Sequence, residues 1–378
     1  MLTAAEPWTA TDVPVYAAGS IPARAVVAGL GTALPDYRVT TDDVARAMPT
    51  VWPHLARRMG TLLPQLIGYE RYLVRPLVEM GVSLRLGEQT ARYLPAALEL
   101  AVRASSRALR AAAVDPASIG CLVVTSCTGF VLPGLDARLV PALGLRDDIV
   151  RLPFAQLGCA GGAVGLSRAA DWVRAHRREN ALVVAVELPS VTFRPGDTSL
   201  DNLLSAMVFG DGAGAAVVTG GRDVLSATHA GGARTFPTIG QTWSVLLPCS
   251  TEALGYEMAD DGYRVILSRT LPEQLEVALP AVMRRCLGDR GAEGFDVAAV
   301  HPGGPAILES VRRALGIEPE TLAASWAALR HTGNTSSAAV FFVLDEVHRV
   351  NVRDGTRGLL VAFGPGLSVE LLELEWHG

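Results

Sequence analysis

Short β-branched and apolar runs alternate with Ala-rich stretches of helical period along most of this chain. Ala25 to Leu30 reads as a strand, Thr41 to Met48 as a helix capped by Thr41, and Gly87 to Ala113 as a long helix. Strand runs at Cys121–Thr125, Val150–Phe154, Ala181–Glu187 and Ala213–Thr219 flank a helix over Ala163–His176. Such alternation predicts sheets with helices on both faces, hence an α/β fold. After a segment rich in Gly, Thr and Ser from Gly220 to Pro248, which predicts loops or hairpins at a junction between lobes, the same grammar returns. Helices are expected over Pro272–Cys286, Pro305–Ala314 and Ser336–His348, with a strand at Val297–Val300 and a closing strand pair at Gly358–Phe363 and Ser368–Leu372.

Residues 1–21 show no period and are expected to form a loosely held arm, the ordered chain beginning near Ala23. The rest divides into an N-terminal half, 22–235, and a C-terminal half, 236–378. Gly158-Cys159-Ala160-Gly161-Gly162 and Gly333-Asn334-Thr335-Ser336-Ser337 each lead into an apolar helix, one in each half, which points to an internal duplication.

Composition narrows the chemistry. The 378 residues suffice for a large core, and the 49% hydrophobic and 6% aromatic content predicts an interior of small side chains. All 33 basic residues are Arg. Without Lys there is no Schiff-base lysine, pyridoxal-phosphate anchor, Walker A loop or lipoyl lysine. A net charge of −5 argues against a nucleic-acid partner, and Arg174, Arg177 and Arg178 read as a solvated helix face. The sequence contains no apolar run of membrane-spanning length and no basic-then-apolar leader, so a cytoplasmic protein away from membranes is expected. Five scattered cysteines exclude a disulfide framework or a zinc knuckle, and no metal or cofactor is expected.

One thiol stands apart. Cys159 follows an apolar strand and a Gly and opens a helix, where the positive helix end favours thiolate and small neighbours admit a bulky thioester. His301 ends a strand and is followed by Pro302-Gly303-Gly304, which places its ring at the carboxyl edge of a sheet, where ligands bind. Asn334 stands at a turn before an apolar helix, as an N-cap or as an amide donor. Together the three can generate a thiolate, polarise a thioester and stabilise an oxyanion or enolate. His331, close in sequence to Asn334, reads as a loop or helix-end residue.

With these motifs, Gln156 to Gly162, Val208-Phe209-Gly210-Asp211-Gly212, His301-Pro302-Gly303-Gly304, Gly333 to Ala338 and Phe363-Gly364-Pro365-Gly366-Leu367, the chain resembles the type III polyketide synthases, the chalcone-synthase-like enzymes, from about Val26 to Trp376. The resemblance implies a homodimer of thiolase-like subunits, each a five-layered αβαβα fold with two similar halves. It implies malonyl-CoA and an acyl-CoA starter as substrates, with no acyl carrier protein. Cys159 matches the nucleophile, and His301 with Asn334 the pair that assists decarboxylation and holds the thioester oxygen. Phe209 matches an aromatic gatekeeper whose usual partner is replaced by Val265. Cys127 takes a place that bacterial naphthol-forming members fill with Cys. Leu132 matches the residue lent to the partner subunit's cavity, and Thr192, Ser205, Tyr256 and Ser336 match cavity walls. The loop Gly364, Pro365 and Gly366 counts among the substrate-binding positions. Arg57 and Arg58 stand in for the family's CoA-binding lysines.

Three other readings share parts of this set. A ketoacyl synthase of the fatty-acid initiation kind keeps the triad but uses a carrier protein, and it normally lacks the Phe363–Gly366 loop. A noncatalytic thiolase-fold partner would not need the intact triad. A papain-like hydrolase carries its Cys near the mature N-terminus and lacks this β-α alternation. Val265, Leu132, Val208 and Cys127 lead to the expectation of an apolar pocket that accepts a medium or long aliphatic starter, released as a pyrone or resorcinol. The alternative product is a polyhydroxylated naphthalene made from malonyl-CoA alone, as by a 1,3,6,8-tetrahydroxynaphthalene synthase.

Overall fold

The computed structural model describes residues 24–53, 56, 60, 69–220, 237–259, 262–288, 291–292, 294–350 and 352–377. The expected arm, the boundary between the halves at 235/236, and Arg57 and Arg58 lie outside them.

Nine strands form one mixed sheet: β1 (Ala25–Ala33), β4 (Ile119–Thr125), β5 (Val150–Phe154), β6 (Asn180–Glu187), β7 (Gly212–Thr219), β8 (Pro237–Leu246), β11 (Val297–Val300), β12 (Arg357–Gly364) and β13 (Ser368–Trp376). Two hairpin-like pairs stand apart, β2 (Tyr37–Thr40) with β3 (Glu70–Leu73), and β9 (Leu254–Ala259) with β10 (Gly262–Leu267). The order β11-β12-β13-β8-β1-β7-β6-β4-β5 contains the same run twice. In one half β1 and β7 pair antiparallel, β7 and β6 antiparallel, and β6 and β4 parallel. In the other, β8, β13, β12 and β11 repeat that sequence of orientations. The halves join at β1 and β8 through Ala25 opposite Ile239 and Val26 opposite Thr238.

The helices that position the site are α1 (Thr41–Val51), α2 (Leu86–Ala112), α3 (Leu135–Leu143), α4 (Gly161–Ala175), α5 (Leu200–Val208), α6 (Leu271–Leu287), α7 (Pro305–Leu315), α8 (Ala323–Thr332) and α9 (Ala339–Arg349). α4 and α9 share one core with strand residues of both halves, including Val183, Val218, Leu360 and Leu372. α2 and α3 cover the outer face of the first half, while α6 and α7 cover that of the second. The result is the thiolase-like αβαβα sandwich. Small residues make the layers close: a Cβ on Gly29 or Gly31 of β1 would lie 2.4 Å and 2.2 Å from backbone oxygens of Ala108 and Ala104 in α2. The Ala-rich face of that helix therefore sits directly on the strand.

Three local expectations change. Thr40, not Thr41, caps α1: its hydroxyl accepts from the Asp43 amide at 3.1 Å, and the Asp43 carboxylate accepts from the Thr40 amide at 2.8 Å, a capping box. The described part of the 220–248 segment includes strand β8 inside the sheet, because Ile239 enters one core cluster and Val245 another. Arg174 is not a solvated residue, since its guanidinium donates to the carbonyls of Ile239 and Gly240 at 2.7 Å each and ties α4 to β8. Arg177 and Arg178 are exposed as expected.

Candidate active site

Cys159 lies in a single 3-10 turn, Gly158–Ala160, that feeds α4. Gly158 has φ +47°, and a Cβ there would lie 2.7 Å from the Pro365 ring, so glycine is required both for the turn and for the approach of the 363–366 loop. Asn334 is placed by the matching device in the other half. Gly333 has φ +68°, and a 3-10 turn, Ser336–Ala338, feeds α9. His301 follows β11, held by its amide donating to the Val361 carbonyl at 2.7 Å.

All three side chains line one cavity of about 300 Å³, walled largely by apolar residues that include Met207, Val208, Leu267, Leu271 and Phe363. The Asn334 amide is oriented at both ends: Nδ2 donates to the Gly303 carbonyl at 3.3 Å, and Oδ1 accepts from the Ser336 amide at 2.9 Å. As a donor beside the sulfur it also favours the Cys159 anion. The neutral Cys159 thiol donates to the Ser336 hydroxyl at 3.5 Å.

Ionisation departs from expectation. Burial pushes the Cys159 thiol up to about 12, outweighing the bonds from Ser336 and Asn334 and reinforced by the Glu187 charge. Burial also pulls the His301 imidazole down to about 3. A dry pocket opposes either charge alone, and the helix end does not by itself make a thiolate. Passing the thiol proton to the imidazole produces two opposite charges together, and His301 Nδ1 has no hydrogen-bond partner among the described residues.

Five of the predicted cavity positions divide between two spaces, while Cys127 and Ser336 line neither. Phe209 and Ser205 line both the catalytic cavity and a smaller pocket of about 50 Å³, so Phe209 stands at the partition. Thr192, Tyr256 and Val265 line only the smaller pocket. Phe209 is fixed beside the amide donor, because Gly210 donates to the Asn334 carbonyl at 3.0 Å and Asn334 donates to the Val208 carbonyl at 2.9 Å. Gly364 and Pro365 press on the nucleophile turn, and Gly366, with φ +68°, turns the loop; of this motif Phe363 reaches the cavity. Leu132 is 81% exposed on this subunit and lines neither space. His331 is exposed and faces Glu346 at 3.4 Å, away from the site.

Glu187 escaped the sequence reading. It ends β6 fully buried, and its carboxylate accepts from the Cys127 and Thr128 amides, from Thr128 Oγ1 at 2.9 Å and from the Ser337 hydroxyl. The Cys127 thiol donates to it at 3.5 Å and lies 3.8 Å from Ser336 Oγ, so Ser336 stands between two thiols. Burial and the Glu187 charge hold the Cys127 thiol well above its ordinary range. The available signal was a carboxylate closing an otherwise apolar run, Ala181 to Val186.

Residues 75–222 match the N-terminal domain of chalcone and stilbene synthases, and residues 239–375 the C-terminal domain. A 1,3,6,8-tetrahydroxynaphthalene synthase of Streptomyces peucetius subsp. caesius is 36% identical over 356 residues, 93% of each chain. The alpha-pyrone synthesis polyketide synthase-like Pks18 of Mycobacterium tuberculosis is 33% identical over 358 residues, 92% of this chain and 90% of that one. The solved structure of germicidin synthase from Streptomyces coelicolor, a type III polyketide synthase, superposes with a TM-score of 0.83 at 28% identity, covering 93% of this chain and 99% of that one. A thiol, an imidazole and an amide converging from two duplicated halves, on a chain related to these proteins over nearly its whole length, mark it as a member of the chalcone and stilbene synthase family, the type III polyketide synthases.

Proposed function

We propose that the protein works as a homodimer that condenses an acyl-CoA starter with malonyl-CoA directly, without an acyl carrier protein, metal or cofactor. The convergence of Cys159, His301 and Asn334 on one cavity carries this reading. His301 takes the thiol proton, and Cys159 sulfur attacks the starter carbonyl; the C–S bond to CoA breaks and the CoA thiol leaves with a proton. Malonyl-CoA then loses CO2, and the electron pair left behind becomes an enolate whose oxygen Asn334 and His301 hydrogen-bond. The enolate carbon attacks the Cys159 thioester, a C–C bond forms, and the sulfur departs as thiolate. The lengthened chain returns to Cys159 for another round and finally cyclises to a pyrone, resorcinol or polyhydroxylated naphthalene. Leu132, exposed on one subunit, is assigned to the partner's cavity, and the supposed CoA contacts fall to Arg57 and Arg58.

Purified protein incubated with malonyl-CoA alone, and then with a panel of aliphatic and aromatic acyl-CoAs, should give polyketides detectable by mass spectrometry. CO2 release with no C–C product from any starter would overturn the reading.

A further inference from the structure

The pocket beyond Phe209 contains a cation that no anion among the described residues meets. Arg71, on β3, is 3% exposed, and among the described residues one of its five N–H donors is satisfied, by the Ala206 carbonyl at 2.6 Å. Among the described residues no carboxylate pairs with it. Ser205 is 7% exposed, and its hydroxyl has no partner among the described residues. Both line the same small pocket, and Ser205 also lines the catalytic cavity. Burial pulls the guanidinium down to about 10, which leaves it charged at neutral pH.

Two physical facts decide what such a space receives. Its volume, about 50 Å³, holds roughly two water-sized groups and not a long alkyl tail. An alkyl end placed there would also keep Arg71 and Ser205 desolvated and unpaired, whereas an oxygen-bearing end would satisfy both. We propose that Arg71 and Ser205 bind the oxygen-bearing distal end of the enzyme-bound chain, so that the pocket beyond Phe209 selects carboxylate-ended or poly-β-keto acyl groups over alkyl ones. This rests on the condensing activity proposed above and narrows the aliphatic starter expected from sequence. The shared chemistry is an anionic or enolic oxygen, which comes either from a dicarboxylic starter or from a chain built of malonyl units.

The test compares succinyl-, glutaryl- and adipyl-CoA with the isosteric 4-methylpentanoyl-, 5-methylhexanoyl- and 6-methylheptanoyl-CoA as starters, alongside malonyl-CoA alone. A carboxylate source predicts that one diacid exceeds its branched isostere by about 10-fold or more in kcat/KM. A poly-β-keto source predicts efficient malonyl-only products in wild type and shorter ones in Arg71→Met. In either case Arg71→Met should bring the ratio of oxygenated to alkyl substrate use toward one, with Arg71→Lys keeping part of the preference. Ser205→Ala, which leaves the guanidinium in place, should lower the ratio about 3-fold if Arg71→Met does not fold. The proposal is overturned if wild type condenses the branched starters at least as well as every diacid and its malonyl-only chain length is unchanged in the variants. If wild type forms no C–C product at all, the condensing activity itself fails as well.

Discussion

The two halves present the same device with different side chains. Each has a glycine at positive φ, Gly158 or Gly333, directly before the functional residue, and a 3-10 turn into the central helix, α4 or α9; the turn contains Cys159 in the first copy and begins two residues after Asn334 in the second. Aligned on those glycines, Cys159 corresponds to Asn334 and Gly162 to Ser337. The first copy offers a nucleophile on a stretch stripped to glycine; the second offers an amide and hydroxyls. The difference follows from how closely the copies meet. A Cβ on Gly162 would lie 2.2 Å from the Ser337 carbonyl oxygen and 2.7 Å from a Val340 methyl, so one partner must be bare for the other to bear side chains. The repeated topology thus sets two helix starts face to face, and their different side chains divide the chemistry between them.

The strongest way to break this division is to remove the nucleophile. Cys159→Ala should abolish polyketide formation, by at least about 10³-fold, with fold and oligomeric state retained by circular dichroism and size-exclusion chromatography. An active alanine variant would place the acyl group elsewhere, Cys127 being the nearest alternative thiol.

The donor copy is separated from the nucleophile copy by assaying decarboxylation and starter loading independently. Asn334→Ala should lose CO2 release from malonyl-CoA by about 10²-fold or more, because the enolate loses its donor, while intact-protein mass spectrometry shows a smaller loss of acyl-Cys159. His301→Ala should impair both, since it removes the acceptor for the thiol proton. Normal decarboxylation by the Asn334 variant would reverse these roles.

The closeness of the copies is tested by stability. Gly162→Ala should destabilise by about 3 kcal/mol in urea unfolding, because the contact is to rigid backbone. Ser337→Ala, at the corresponding place, removes one of several donors to Glu187 and should cost about 1–2 kcal/mol.

A pH-dependent effect concerns the strands behind the helices. Counted from the strand starts, Gly214 of β7 corresponds to Glu370 of β13. A Cβ on Gly214 would lie 2.5 Å from the Phe341 side chain of α9, whereas Glu370 is buried, accepts from Ser244 at 2.8 Å and feels the charge of Arg168 on α4. Burial raises its carboxyl to about 7. The folded state therefore holds this proton more tightly than the unfolded chain. Its contribution is complete below about pH 4 and is lost as pH rises through about 7. Glu370→Gln should flatten the decline in Tm between pH 5 and 8 and gain about 2 kcal/mol at pH 8. An unchanged slope would show that the carboxyl titrates as in water.

Much of this architecture was legible because it is local. The spacing of apolar runs located fourteen of the strands and helices described, and the breaker residues around Cys159, His301 and Asn334 marked where backbone turns bring side chains to sheet edges. β8 was not legible, since its Gly, Thr and Ser content resembles a loop until a second strand lies on each side. Glu187 and Arg71 were not singled out for site chemistry either, because a single charged residue reveals nothing about its burial.

The sequence by itself determined the order of elements, the glycine positions that permit two left-handed turns, and the identities of the nucleophile, imidazole and amide. Tertiary structure alone decided which turn faces which, that Phe209 separates two spaces of unequal size, and that Arg71 lines one of them with no anion beside it among the described residues. It also decided that Cys159 and His301 rest neutral. Periodicity and turn chemistry are properties of neighbours in the chain, whereas desolvation and pairing depend on groups that only the folded core brings together.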